Sequence, residues 1–413
     1  MKERVLIGIV DFKQRGEWPI EDVMYEMEEL VKACNGEVVD KVLCPAHPPT
    51  AATLIHSGKV QELAALVQAQ KIQTVIFSSE LKGVQQRNLE EALGVKTIDR
   101  TQLILDIFAR RASSQEGKLQ VELAQLEYRL PRLSGHYEQL SRQGGGIGTI
   151  GPGETKLESD RRRIGERIDR LKEDLEGVTR SRKTKRAHRE RRNVPLISLV
   201  GYTNAGKSTL LNTLTDAVQV TKDGLFTTLD SLARQQVLPN KQKVVFSDTV
   251  GFMHDLPHGI IEAFKATLEE VESADLLLHV LDVSNIHHRN LKNSVDQVLM
   301  ELAAIKKPTI LVLNKIDRLA EGDAFQVLDA ASRAYENTVA ISAKEKLNID
   351  KLLAKIEQEL SGRAAIVDVK LPLTRMDLVR LAHREGEVIE EEYMADGIRL
   401  CARLPKHLAG QFE

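Results

Sequence analysis

The sequence predicts an α/β protein of several domains. A phosphate-loop (P-loop) domain is preceded by a small parallel α/β domain and a helical hairpin, and followed by a small α+β domain. Three observations predict this. Strand-like and helical patterns alternate through residues 1–100, apolar residues then fall at helical spacing from about 101 to 192, and near 200 a buried-type strand runs through G-x-x-x-x-G-K-S into a helix. A chain of 413 residues also exceeds one compact core, since domains hold roughly 100–200 residues.

In the first hundred residues VLIGIV (5–10), EVVDKVLC (37–44), TVIFSS (74–79) and VKTID (95–99) read as strands. EDVMYEMEELVKAC, KVQELAALVQAQ and QQRNLEEAL lie between them at helical period, which predicts a parallel sheet covered by helices over 1–105. No phosphate-binding glycine pattern sits on these strand ends; GKV at 58–60 reads as a turn before a helix.

Residues 106–193 carry two narrow apolar stripes, Leu119, Leu123, Leu126, Leu130 and Leu133, then Ile164, Ile168, Leu171, Leu175 and Val178. Spacings of 4, 3, 4, 3 make the seam along which two helices pack, so an antiparallel hairpin is expected, with two separately packed helices as the alternative. Pro131 should interrupt the first stripe. The glycine-rich tip lies at 144–153. Gly146, Gly148 and Gly151 satisfy G-x-G-x-x-G there, but a dinucleotide fingerprint follows a strand, and this one follows a helical pattern and runs into Pro152–Gly153. Thr155 and Glu158 then read as a capping box. Arg142, Lys156, Arg161, Arg162 and Arg163 flank the tip, and RSRKTKRAHRERR (180–192) is strongly basic. Such runs are often solvated helix ends; beside a basic-flanked tip this one reads as a contact to a phosphate backbone.

Composition narrows the partners. A formal charge of −2 gives no global attraction to nucleic acid, and a 4% aromatic share argues against extensive base stacking. Three scattered cysteines, Cys34, Cys44 and Cys401, have no metal spacing and suit reduced thiols. No stretch reaches the roughly 20 apolar residues of a membrane span. The expectation is a cytoplasmic protein without membrane insertion.

The chemistry lies in 194–361. In LISLVGYTNAGKSTLLNTL, Gly201 and Gly206 permit the tight path of Gly201, Tyr202, Thr203, Asn204, Ala205 and Gly206 around a phosphate, with Thr209 following. Lys207 places positive charge on the β- and γ-phosphates, and Ser208 offers a hydroxyl to Mg²⁺. NKID, following the apolar run PTILVL, selects the base: Asp317 accepts bonds from guanine N1–H and the exocyclic amino group at C2, donors that adenine lacks at those positions. Asn314 reaches the base and the loop backbone, Lys315 covers the ring, and Ile316 lies between. In DTVG, Asp248 is expected to hold Mg²⁺ through water, and Gly251 N–H, after Thr249 and Val250, to meet the γ-phosphate. LFTTLD supplies Phe226, Thr227, Thr228, Leu229 and Asp230 of the first switch, with Thr228 the second protein ligand of Mg²⁺ and Thr227 its alternative. Ser342, Ala343 and Lys344 form the last guanine loop, chiefly through Ala343 N–H. The five elements in this order predict a GTPase of the translation-factor-like fold, with Lys207, Thr228 and Gly251 carrying catalysis.

Two departures bear on mechanism. Phe252 stands where Ras-like enzymes place a water-orienting glutamine, so slow intrinsic hydrolysis is expected. His254 is a stand-in or an exposed switch histidine. Asn204 is a turn residue or places K⁺ beside the phosphates. The final segment, 364–413, reads as strand, helix and two strands.

The whole arrangement resembles the HflX family of GTPases. The carriers are GYTNAGKS (201–208), LFTTLD (225–230), DTVGFMHDLPH (248–258), AFKATLEE (263–270) and, outside the nucleotide domain, GGGIGTIGPGETKLESDRRRI (144–164). The resemblance implies a GTPase, monomeric off the ribosome, that binds the large (50S) subunit and its rRNA and splits or rescues stalled ribosomes under stress. It implies that the glycine tip enters an rRNA-lined cavity near the peptidyl-transferase region, and that a hydrophobic residue at Phe252 is a family feature. Some members are said to use ATP through the N-terminal region, for which this sequence offers no phosphate loop. The rival reading is an RNA-binding or ribosome-assembly module whose GTPase is regulatory and nearly silent.

Overall fold

A computed structural model describes the chain except residues 1, 13–17, 134–151, 192–193, 216–225, 227–231, 255–264, 320–328, 330–332, 334, 336, 362–363, 395–396 and 413. Two compact units result: Met1–Thr179 with Asp223–Asp230 and Asp255–Lys265, and Arg180–Lys222 with Ser231–His254 and Ala266–Glu413. The glycine tip at 144–151, and Thr227, Thr228, Leu229 and Asp230 of the first switch, lie outside the described residues.

In the first unit β1 (Glu3–Asp11), β2 (Gly36–Pro45), β3 (Thr74–Phe77) and β4 (Lys96–Asp99) form a sheet of order β2-β1-β3-β4. Every pairing in it is parallel. Helices Ile20–Ala33, Ser57–Ala69 and Gly83–Leu93 make the crossovers, as the alternating patterns predict. Leu6, Ile7 and Ile9 of the central β1 are all buried, the continuous apolar run expected of a strand covered on both faces. Cys44 belongs to this core, and burial pushes its thiol up to about 12, so it is an inert packing residue.

Helix Arg100–Arg111 starts where the Asp99 carboxylate accepts Gln102 N–H at 2.8 Å, and Gln115–Arg129 where Ser114 Oγ accepts Gly117 N–H at 2.9 Å. The latter stops at Arg129, and Leu130–Arg132 is a 3₁₀ turn around Pro131, the interruption expected of a residue lacking its N–H. A helix of 40 residues, Pro152–Arg191, follows. Its start corrects one expectation: Thr155 lies inside the first turn rather than capping it. Pro152, with φ preset and no N–H to satisfy, opens the helix instead. The two apolar stripes meet, Leu123 packing with Ile168 and Leu171 and flanked by Leu119, Leu126, Leu130, Ile164 and Leu175.

In the second unit β5 (Leu196–Gly201), β6 (Leu232–Val237), β7 (Lys243–Asp248), β8 (Leu276–Asp282), β9 (Thr309–Asn314) and β10 (Thr338–Ala340) form one sheet. Their order is β10-β9-β8-β5-β7-β6, parallel except for the edge strand β6, which runs antiparallel to β7. Ile197, Leu199, Leu278, Val280, Ile310 and Val312 pack one face of this sheet against helices Lys207–Leu214 and Ile349–Leu360. The same unit carries β11 (Ala364–Leu371), β12 (Glu387–Met394) and β13 (Gly397–Pro405), an antiparallel sheet of order β11-β13-β12. Helix Met376–Glu385 covers it through Leu378, Val379 and Ala382.

Candidate nucleotide site

The carboxyl ends of β5, β7, β8 and β9 converge, the side of an open α/β sheet where ligands bind. After β5 the chain turns through Gly201–Gly206 into helix Lys207–Leu214, so the phosphate loop sits on a helix N-terminus whose free N–H groups favour an anion. Two glycines are required by geometry. A Cβ at Gly201 would collide with the carbonyl of Val280, and Gly206, at φ +97°, touches the Asn314 amide where a Cβ would project. Asn204 adopts the left-handed conformation at φ +61°, which asparagine tolerates as a turn residue.

Lys207 is 6% exposed, and its ammonium donates to the carbonyls of Gly201 at 3.0 Å and Tyr202 at 2.9 Å. Burial pushes its pKa down to about 8; Asp248 opposes that shift and Lys315 adds to it. Ser208 Oγ donates to Asp248 Oδ2 at 2.7 Å, joining the helix start to the end of β7. Both are hard oxygen donors of the kind Mg²⁺ takes.

The base loop is tied to the phosphate loop at two points. Asn314 donates through Nδ2 to the Ala205 carbonyl at 2.9 Å and accepts Ala343 N–H on Oδ1 at 3.0 Å. Lys315, at φ +66°, donates from Nζ to the Asn204 carbonyl at 2.8 Å and pairs with Asp282 at 2.6 Å. Ile316 and Asp317 begin the 3₁₀ turn Ile316–Arg318, and Asp317 is exposed. Ala343 N–H, expected to face guanine, is engaged by Asn314. Ser342 is buried and its Oγ accepts Glu345 N–H at 3.1 Å, while Lys344 is exposed.

Described residues at the start of the second switch lie against the phosphate loop. Phe252 is 1% exposed; its N–H donates to the Gly201 carbonyl at 3.1 Å, and its carbonyl accepts Thr203 N–H at 2.9 Å. Thr249 Oγ1 donates to the Leu199 carbonyl at 2.7 Å, and Val250 is buried. His254 N–H donates to the Tyr202 hydroxyl at 3.2 Å, so His254 is a half-buried partner of the loop rather than an exposed residue. Phe226 is buried in the first unit, edge-to-face on Phe108 at 4.6 Å. Three supporting residues escape a motif reading: Asp282, Tyr202 through its hydroxyl, and Thr213, which donates to the Ala343 carbonyl at 2.8 Å. An acid closing the apolar run LLLHVLD was the one signal available for the first.

Comparison with known proteins gives four consecutive family matches. Residues 21–109 match the GTP-binding GTPase N-terminal family, 111–189 the GTP-binding GTPase middle region, 196–315 the 50S ribosome-binding GTPase, and 327–413 the HflX C-terminal domain. GTPase HflX of Caldanaerobacter subterraneus subsp. tengcongensis is 46% identical over 404 residues, covering 98% of this chain and 91% of that protein. The chain belongs to the HflX family of GTPases. GTPase HflX of Escherichia coli is 40% identical over 384 residues, covering 92% of this chain and 89% of the relative. Among solved structures, a GDP-bound GTP-binding protein from Sulfolobus solfataricus aligns at 26% identity and TM-score 0.44, over 88% of this chain and 99% of that one. As an HflX GTPase the chain binds GTP and hydrolyses it, on a P-loop α/β domain. Among the described residues no helix is long and apolar enough to cross a membrane.

Proposed function

We propose that this HflX GTPase is a nucleotide-gated switch acting on the large ribosomal subunit, where it splits or rescues stalled ribosomes under stress. The observation that carries the reading is the match of 196–315 to the 50S ribosome-binding GTPase family. A glycine-rich, basic-flanked segment preceding that domain supports it: glycines allow close approach to RNA, and the arginines neutralise phosphates.

In this reading Gly201–Ser208 cradle the phosphates, with Lys207 turning from its two carbonyls to the β- and γ-phosphates. Asn314, Lys315 and Asp317 hold guanine. Ala343 supports Asn314, and the neighbouring Lys344 N–H takes the place assigned to Ala343 at the base. Ser208 and Asp248, with Thr228, hold Mg²⁺, which when bound neutralises charge on the phosphate oxygens. Gly251 N–H reads the γ-phosphate, so GTP and GDP differ in the contacts they offer the switches, and that difference alone biases the conformation.

Sucrose-gradient co-sedimentation with 50S, 30S and 70S particles tests the proposal. Binding to 50S with a non-hydrolysable GTP analogue, and its loss with GDP, is the expected result. Nucleotide-independent binding supports the assembly-module reading, and no binding to 50S in either state overturns the ribosomal assignment.

A further inference from the structure

Among the described residues, the hydroxyls of the phosphate loop and the second switch have protein partners except that of Thr203; Ser198, deeper in β5, is likewise unpartnered. Ser208 binds Asp248, Thr249 binds the Leu199 carbonyl, and the Tyr202 hydroxyl accepts His254 N–H. Thr203 is 6% exposed, yet its Oγ1 is buried with no hydrogen-bond partner. An orphan hydroxyl of this kind leaves a desolvated donor uncompensated, so a partner is expected.

Its surroundings supply one. A Cβ built on Gly251 would lie 2.7 Å from Thr203 Cγ2, 2.9 Å from Thr203 Cα and 3.1 Å from Lys207 Nζ. Thr203 therefore sits, through its methyl and Cα, beside the two groups assigned to the γ-phosphate, the Gly251 backbone and the Lys207 ammonium, with its hydroxyl on the same Cβ. Its own N–H is spent on the Phe252 carbonyl, which leaves the hydroxyl as its remaining donor. Phe252, apolar and 1% exposed, contributes no polar group to the reaction.

We infer that Thr203 is a catalytic residue for GTP hydrolysis, its hydroxyl donating to a γ-phosphoryl oxygen and stabilising the charge that develops there. The inference rests on the assignment of Lys207 and Gly251 to the γ-phosphate. Water oxygen forms the new bond to the γ-phosphorus while the bond from that phosphorus to the β–γ bridging oxygen breaks. The bridging oxygen leaves on GDP with the electron pair, and the water's proton ends on the released phosphate. Thr203 gives up no proton in the net reaction. GDP has no γ-phosphoryl oxygen, so the hydroxyl is silent in the product state. Stabilisation confined to the reacting state raises the rate without tightening product binding.

The test is single-turnover cleavage of γ-labelled GTP with Mg²⁺, without ribosomes, in wild type, Thr203→Val and Thr203→Ser. Affinities for GDP and for GDP with aluminium fluoride are measured alongside. Thr203→Val keeps the shape and removes the hydroxyl. It is expected to slow cleavage by at least about tenfold and weaken the aluminium fluoride complex in proportion, with GDP affinity unchanged within about threefold. Thr203→Ser is expected to restore the rate. Wild-type cleavage by Thr203→Val overturns the inference. So does equal slowing in both variants, or equal loss of GDP and GTP binding, each of which assigns Thr203 to loop packing. Should Thr203→Val fail to bind GDP, Thr203→Ala replaces it, and loss of GDP binding there too is the packing outcome. Lys207→Ala is the control for the underlying assignment: if it cleaves GTP like wild type, that assignment fails independently of Thr203.

Discussion

At Lys207 burial and charge meet. Without phosphates its ammonium is held by two backbone carbonyls, and burial brings its pKa down to about 8. Phosphate oxygens beside it favour the charged form and raise that value. Between the free and bound pKa values the complex holds more proton than the free protein. Nucleotide binding is therefore expected to take up protons near and above pH 8, and affinity to fall as pH rises through that window. Calorimetric titration of GDP at pH 8.5, in two buffers of different ionisation heat, measures the uptake directly. Identical apparent enthalpies in both buffers would show that the lysine is already fully charged before nucleotide arrives. The sequence alone identifies the residue and its phosphate role, but not this shift. The shift comes from desolvation, with Val280 and Asn314 closing around the loop from two other strands, and no local pattern encodes that enclosure.

At the scale of elements, the two leucine-rich stripes show how much of the fold is legible. Their 4, 3, 4, 3 spacing predicts a shared seam, and Leu123, Ile168 and Leu171 meet in one. Only those three are buried in a narrow cluster, so each matters. Leu171 is fully buried in a small cluster, and Leu171→Ala should cost about 2–5 kcal/mol. Protease nicking between the helices, followed against temperature, is the direct readout. Local melting well below the loss of GDP binding is expected, and unchanged protection would mean the seam contributes little. Helix ends were less legible. Pro131 stopped a helix as its chemistry requires, whereas Thr155 and Glu158 satisfied a capping pattern inside a helix that Pro152 had already opened. Capping boxes are short and recur by chance; a proline at the first helical position is the stronger signal. Asp282 shows the opposite failure. Its pairing with Lys315 joins two strands about thirty residues apart, and sequence order conceals such neighbours.

For the whole molecule, the question is why a GTPase retains Phe252 where a polar residue would help. The structure gives Phe252 an architectural task, two backbone bonds that hold the start of the second switch on the phosphate loop, with the ring buried. A site built this way has few groups of its own to position water, so turnover by the free protein should be slow. A partner that supplies or orders the missing group should then raise it. If the large subunit is that partner, 50S particles should increase turnover at saturating GTP by at least about tenfold. The increase should appear in kcat, because a group acting in the transition state lowers the barrier without changing ground-state affinity. The segment at 144–151 is where the two functional readings part. Replacing it with a bulkier acidic sequence leaves every residue of the nucleotide site in place, so basal cleavage and GDP binding should persist while 50S stimulation is lost. Stimulation that survives the replacement would move the ribosomal contact elsewhere on the chain. An absence of stimulation in the wild type, with 50S binding retained, would make the nucleotide a regulator of an RNA-binding module.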